Sequence, residues 1–194
     1  MINAYVNGFV IKDYHTETAG TAITEEVQGR NGQRLALIGY AATAAATAHT
    51  LSIMHPGGTR TTADGAAASG QKVLDVADAP KDPGGNAVAS GDIIAYQLPD
   101  GTWEFNTVAS LSTKEITLGT NIDTAVEDGA AVRIFGVVGD GAKFDIAVAA
   151  NAQASGYDAI YALAPYKGDP LYVSDDNGSH AGSIDNLIFA FLNK

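Results

Sequence analysis

Histidine is the residue type best suited to hold a transition metal in a chain without cysteine, and four are present: His15, His49, His55 and His180. His49 and His55 flank one predicted strand, six positions apart. Strand side chains repeat every two residues, so an ideal strand places both on one face. A zinc centre also needs a third ligand and partners that orient the rings. Neither is legible, and both histidines read as surface or loop residues. Asp175-Asp176-Asn177-Gly178 is oxygen-rich like part of a calcium loop, but it lacks EF-hand spacing and the terminal bidentate Glu, so it reads as an Asx turn. Gly139-Asp140-Gly141 is not followed by the Gly-Lys-Ser/Thr of a phosphate loop. Residues 178–182, GSHAG, put His180 where a nucleophile elbow needs serine. Glu25-Glu26 and Glu127-Asp128 are adjacent carboxylates on turn or surface segments, whereas acid–base work needs two carboxylates in different environments facing one cleft. The residues therefore predict no enzyme, no cofactor and no metal.

Aromatic faces are the remaining chemistry. Trp103, Phe105, Tyr157, Tyr161, Tyr166 and Tyr172 have the ring type that stacks on pyranose sugars, and at strand spacing the commoner fate of such rings is core packing.

The elements that carry these residues are strands. Within residues 90–136, Ile94, Tyr96 and Leu98 alternate with Ile93, Ala95 and Gln97. Pro99-Asp100-Gly101 is hairpin chemistry, Trp103 and Phe105 share the next strand's face, Ile116 and Leu118 the following one, and Glu127-Asp128-Gly129 is a further turn before a β-rich run at 131–137. The pattern predicts a compact β-barrel with a core that includes Ile94, Tyr96, Leu98, Trp103, Phe105, Ile116, Leu118 and Ile134. Outside it, strands are expected at 34–40, 50–54, 143–149, 157–164, 170–174 and 184–192, with loops at 79–89, 151–156, 165–169 and 175–182. The run at 41–48, AATAAATA, reads as close packing of small side chains in preference to a short helix.

The layout follows: an all-β chain with a jelly-roll/β-sandwich body at 1–66 and 140–194 and an inserted small β-barrel module at 67–139. Two sequential domains are the competing layout. Residues 56–70, rich in Gly, Thr and Ala, read as a linker. Asn7-Gly8 sits between two β-prone runs and predicts a hairpin ribbon at 2–14. An isolated ribbon is marginal in water. Tyr5, Phe9 and Ile11 are therefore the expected interface residues, against a neighbouring subunit or another partner.

Composition narrows the partners. The chain has 194 residues, 46% of them hydrophobic, which favours a fold over disorder. A chain of this size buries about 70% of its unfolded surface without staples. The net charge of −11 disfavours direct nucleic-acid binding. The lack of cysteine fits folding in a reducing cytosol. No secretion signal or membrane-length apolar run is apparent, so no membrane partner is expected.

Two stretches carry a resemblance. GDIIAYQLPDGTWEFNTV and KEITL, followed by GAAVRIFG, resemble small β-barrel modules of tailed-phage virion proteins. GDPLYVSDDNGSHAGSIDNLIFAF, with RLALIGYAATAAATAHTLSIM, is similar to the jelly-roll body of phage head cement (decoration) proteins, so the likeness spans most of the chain after about Asn31. It implies a protein made in the host cytoplasm that binds the major capsid protein on the outer capsid surface of the virion as a homo-oligomer, dimer or trimer, and braces the shell. It brings no catalytic residue. The alternative is a tail, fibre or spike module that binds host glycan. A bacterial surface adhesin is disfavoured for want of an export signal.

Overall fold

The computed structural model describes residues 6–16, 24–30, 32–44, 46–136, 143–157, 159–175 and 183–192. Among them every regular element is a strand. The chain divides into two compact units, Met1–His55 with Lys143–Lys194, and Pro56–Ala142. The first unit opens with β1 (Val6–Thr16), β2 (Thr24–Val27), β3 (Arg34–Thr43) and β4 (His49–Met54). The second holds β5 (Arg60–Thr62), β6 (Val73–Asp75), β7 (Ile93–Gln97), β8 (Trp103–Ser112), β9 (Glu115–Leu118) and β10 (Ala131–Gly136). The first then resumes with β11 (Lys143–Val148), β12 (Gln153–Gly156), β13 (Ala162–Leu163), β14 (Leu171–Asp175) and β15 (Ser183–Leu192).

The first unit is a jelly roll. One sheet runs β1-β15-β3-β12, with β13 also on β3, and the other runs β11-β4-β14-β2. From β2 onward the chain changes sheet at each step, except at β4 to β11, where it stays in one sheet. Taking β12 and β13 as one interrupted strand gives eight strands in two four-stranded sheets with jelly-roll connections. Leu35 and Leu37 on β3, Leu51 and Ile53 on β4, and Leu187 and Phe189 on β15 meet in one buried cluster between the sheets. Each such side chain contributes about 1.5–3 kcal/mol by leaving water. β4 and β11 pair without a break from His49↔Val148 to Met54↔Lys143, so the whole second unit stands where a hairpin turn would be.

The second unit is a closed six-stranded barrel. Its ladder runs β5-β10-β7-β8-β9-β6. It returns to β5 through the Ala63↔Val76 bridge, flanked by Asp64 N–H donating to Asp75 O (2.9 Å) and Ala77 N–H donating to Thr62 O (2.9 Å). Leu74, Ile94, Tyr96, Ile116, Leu118 and Ile134 fill the interior. The Pro99-Asp100-Gly101 turn joins β7 to β8, with Gly101 at φ 87°, a left-handed conformation that glycine adopts without strain.

Several expectations change. Asn7-Gly8 is not a hairpin turn: β1 runs straight through it along β15, with Val6 opposite Leu192 and Phe9 opposite Ala190. Two residues there face one, which is a β-bulge, and the long apolar β15 outweighs the local turn preference. Residues 56–70 are not a linker. Ala63 and Ala67 are buried barrel wall, bridged to Val76 and Val126, and the first crossing between units falls at His55/Pro56. The second crossing falls at residues 142/143. The expected loop at 151–156 contains strand β12, whereas the expected strand at 157–164 reduces to Ala162–Leu163. β3 continues through Thr43, so the alanine run begins as strand, with Ala42 and Ala44 in the core.

Trp103 and Phe105 also change place. Residues directly opposite on paired strands share a face. Tyr96, in the barrel core, faces Glu104, so Ala95 and its partners Phe105 and Arg133 lie on the barrel's outer face, as does Trp103 opposite Gln97. There the Phe105 and Phe135 rings lie 5.4 Å apart, and the Arg133 guanidinium stands 5.4 Å from the Trp103 ring centre. Trp103 is buried, but not in the barrel interior.

Candidate functional site

Of the expected interface residues, Tyr5 lies outside the described residues. Phe9 and Ile11 sit on β1 opposite Ala190 and Ile188, and their side chains lie outside the described residues too. β1 is an edge strand: β15 takes one side of its backbone, and the other has no strand partner among the described residues. Such an edge is a template for strand addition, and the bulge at Asn7-Gly8 twists part of it away.

The aromatic candidates are divided between the two units. Trp103 and Phe105 belong to the barrel, and Tyr157, Tyr161, Tyr166 and Tyr172 to the jelly roll. Tyr161 is locked in a ring cluster, 5.1 Å from Tyr40 edge-on and 5.4 Å from Phe144, and its hydroxyl donates to Tyr157 O (3.2 Å). Gly156 makes room for it, since a Cβ there would stand 2.5 Å from Tyr161 Oη and 2.6 Å from Tyr40 Cε1. Opposite residues 38–39 of β3, the edge strand loops out between Gly156↔Tyr40 and Ala162↔Leu37. That excursion exposes Tyr157 (59%) and Ile160 (48%), and Tyr166 in the next turn is 53% exposed. The sequence pattern placed Tyr157 on a strand at 157–164 and Tyr166 in the loop after it; the loop-out leaves no mark in that pattern.

The titratable groups are dispersed. His49 is buried opposite Val148, and His55 lies beyond the end of β4. Among the described residues no group of three or more His, Cys, Asp or Glu is placed to hold a metal ion. A cleft of about 340 Å³ beside His49 is lined otherwise by Ala48, Thr50, Ala147, Val148 and Ala149. Another, of about 220 Å³, has Asp64 and Asp75 in its wall, but both are exposed and so share one environment. Asp128 ties its turn to a distant one, accepting from Gly65 N–H at 2.9 Å. Residues 176–182, with His180 and most of the DDNG run, lie outside the described residues, as do the Glu25 and Glu26 side chains on β2.

One polar network, running from the buried Tyr96 to the largely exposed 120–124 segment, was not anticipated. Tyr96 Oη donates to Glu104 (2.5 Å), whose carboxylate also accepts from Asp123 N–H (2.9 Å) and Thr124 N–H (3.1 Å). Asn106 Oδ1 accepts from Thr120 N–H (3.1 Å), and Asn106 Nδ2 donates to Thr120 O (3.2 Å). Burial first, then the Glu104 hydrogen bond, pushes the Tyr96 phenol far above its ordinary value, so it stays protonated. The network fastens residues 120–124 across the barrel, which is a structural role.

No protein-family model matches the chain, and no curated protein matches its sequence. Among solved structures it is similar to VP17, a capsid protein of bacteriophage P23-77, at 13% identity over 95% of each chain, with a TM-score of 0.19. It is also similar to the VP2 subviral particle of infectious bursal disease virus, at 11% identity over 96% of this chain and 41% of that one, TM-score 0.14. The jelly roll is defined by the strand pairings alone and takes nothing from these likenesses.

Proposed function

We propose that this chain is a structural virion protein that binds the outer surface of a phage capsid and stabilises the shell, without enzymatic activity. The observation that carries the reading is the complete eight-strand jelly roll with a closed barrel on its β4–β11 hairpin. Jelly rolls serve as capsid and lectin domains, and function must come from surfaces and sites added to the fold. Two rigid bodies with their own cores lose little entropy on docking, which suits a lattice clamp. A net charge of −11 favours the outer side, away from packaged DNA. A ligand that binds the intact lattice better than separated subunits shifts the equilibrium toward the lattice. The major capsid protein is the partner in this reading, and a dimer or trimer is the acting form.

The test is to strip the protein from DNA-filled particles, heat them, and restore it. Decorated particles should release DNA at a higher temperature, and equal release temperatures would remove the role. The exposed rings of Tyr157 and Tyr166 favour a second reading, a spike module that stacks host glycan. Selective saccharide binding on a glycan array, lost in Tyr157→Ala, would support it.

A further inference from the structure

We propose that two packed turns of the jelly roll, one carrying residues 28–30 and 32–34 and the other residues 164–169, form a basic aromatic surface that docks on the acidic barrel of a second copy of this chain. The turns are fastened by Gly168 N–H donating to Gln33 O (2.8 Å) and Arg34 Nε–H donating to Ala164 O (2.8 Å). They touch so closely that a Cβ on Gly29 would stand 2.0 Å from Gly168 O. The backbone contact at Gly29 and Gly168 makes Arg30 and Lys167 the next residues on two touching turns, and Arg30, Tyr166 and Lys167 are exposed. The Arg30 guanidinium is held over the Phe191 ring, 5.6 Å from its centre. Arg34 spends one of five N–H donors on Ala164. The acidic neighbour within the turns, Asp169, is buried. Tyrosine and arginine on a rigid support are the residue types that dominate binding energy at protein interfaces.

Charge selects the occupant. The barrel unit has 12 acidic and 5 basic residues, net −7, and the jelly-roll unit 10 and 6, net −4, together the −11 of the chain. Three of the jelly roll's six basic residues lie in this one surface. A long polyanion laid on it would meet the rest of an acidic protein. A second copy offers a barrel of net charge −7 with Asp64 and Glu127 exposed on it, and at physiological salt the general repulsion between copies is screened beyond about 8 Å while the local pairs survive. Contact between unlike surfaces is heterologous, so it closes into a ring or continues as a chain. The contact does not depend on the chain coating a shell.

The experiment is sedimentation velocity of the full chain over a range of salt. The wild type should self-associate reversibly, and Arg30→Glu with Lys167→Glu should weaken this about tenfold or more, as should Asp64→Lys with Glu127→Lys on the barrel. All four substitutions in one chain should restore association, because the charges are exchanged. Circular dichroism confirms that each variant keeps its strands. A wild type that stays monomeric at low salt, or a fourfold variant as weak as the doubles, would overturn the proposal. So would a monomer that captures polyglutamate through Arg30 and Lys167, since the surface would then serve a foreign acidic partner.

Discussion

In the barrel the hydrogen-bond ladder that leaves β5 returns to it through Ala63 and Val76, whereas among the described residues each jelly-roll sheet ends at two edge strands, β1 and β12 in one, β11 and β2 in the other. A closed sheet has no unpaired edge to offer a neighbour. An open one must blunt its edges, and the jelly roll does so with the bulge at Asn7-Gly8 and the loop-out between the Gly156 and Ala162 pairings. The same loop-out delivers two of the exposed apolar side chains, Tyr157 and Ile160. Protection of an edge and presentation of a surface are here one event. The jelly roll presents open edges and exposed rings, and the barrel a closed sheet in a unit of net charge −7.

The strongest way to break this contrast is to separate the units. The barrel enters and leaves through paired strands, β5 against β10, and replaces a turn between Met54 and Lys143, which already face each other. Replacing residues 56–142 by a short Asn-Gly turn should leave a jelly roll that unfolds cooperatively, and the excised segment should unfold as a second cooperative unit. Calorimetry of the two pieces against the whole checks this. A jelly roll without a transition would show that the units depend on one another.

The next largest effect is local to one core. Phe189 is fully buried between the jelly-roll sheets, and Phe189→Ala should cost that unit about 3–5 kcal/mol while leaving the barrel's transition in place. Ile116→Ala in the barrel should do the converse, at about 2–5 kcal/mol. Trp103→Ala sharpens the comparison, because its ring is buried on the barrel's outer face. A loss of similar size there would come without any void in the barrel interior.

Legibility in the sequence followed the range of the forces involved. Pro99-Asp100-Gly101 and Glu127-Asp128-Gly129 mark real turns because their chemistry is local, and Gly129 takes φ 78° accordingly. Asn7-Gly8 misled because its partner, β15, lies at the far end of the chain. The 56–70 stretch looked like a linker because barrel closure needs small residues such as Ala63, and small residues also make linkers. Alternation could not tell the barrel's inside from its outside, since Ile93 and Ala95 are buried as well as Ile94 and Tyr96. For the interaction surfaces, the sequence drew attention to Tyr157 and Tyr166, but nothing local showed the turn of Arg30 packing on the turn of Lys167. That juxtaposition needs two turns more than a hundred residues apart to pack through Gly29 and Gly168.

The smallest expected effect is a difference in pH response between the units. In the jelly roll, Asp145 accepts from Ser52 Oγ–H (2.7 Å) and pairs with Lys143 (2.8 Å). Burial works against its ionisation, but the hydrogen bonds from Lys143 and Ser52 and the lysine's charge outweigh it and hold the carboxyl below its ordinary value. A depressed folded value gives stability that is present above the unfolded value, about 3.9, and is lost as pH falls through the folded one. The group is exposed and screened, so its share is below about 1 kcal/mol. Tyr96 in the barrel has the opposite sign. Its raised value leaves the folded phenol protonated where the unfolded one ionises, so its stability is present below about pH 10 and is lost as pH rises further. Asp145→Asn should flatten the acid limb of the jelly-roll transition alone, and Tyr96→Phe the alkaline limb of the barrel's. Denaturation followed separately for each unit across pH checks both, and a change that appears in both units from one substitution would mean that they unfold as a single body.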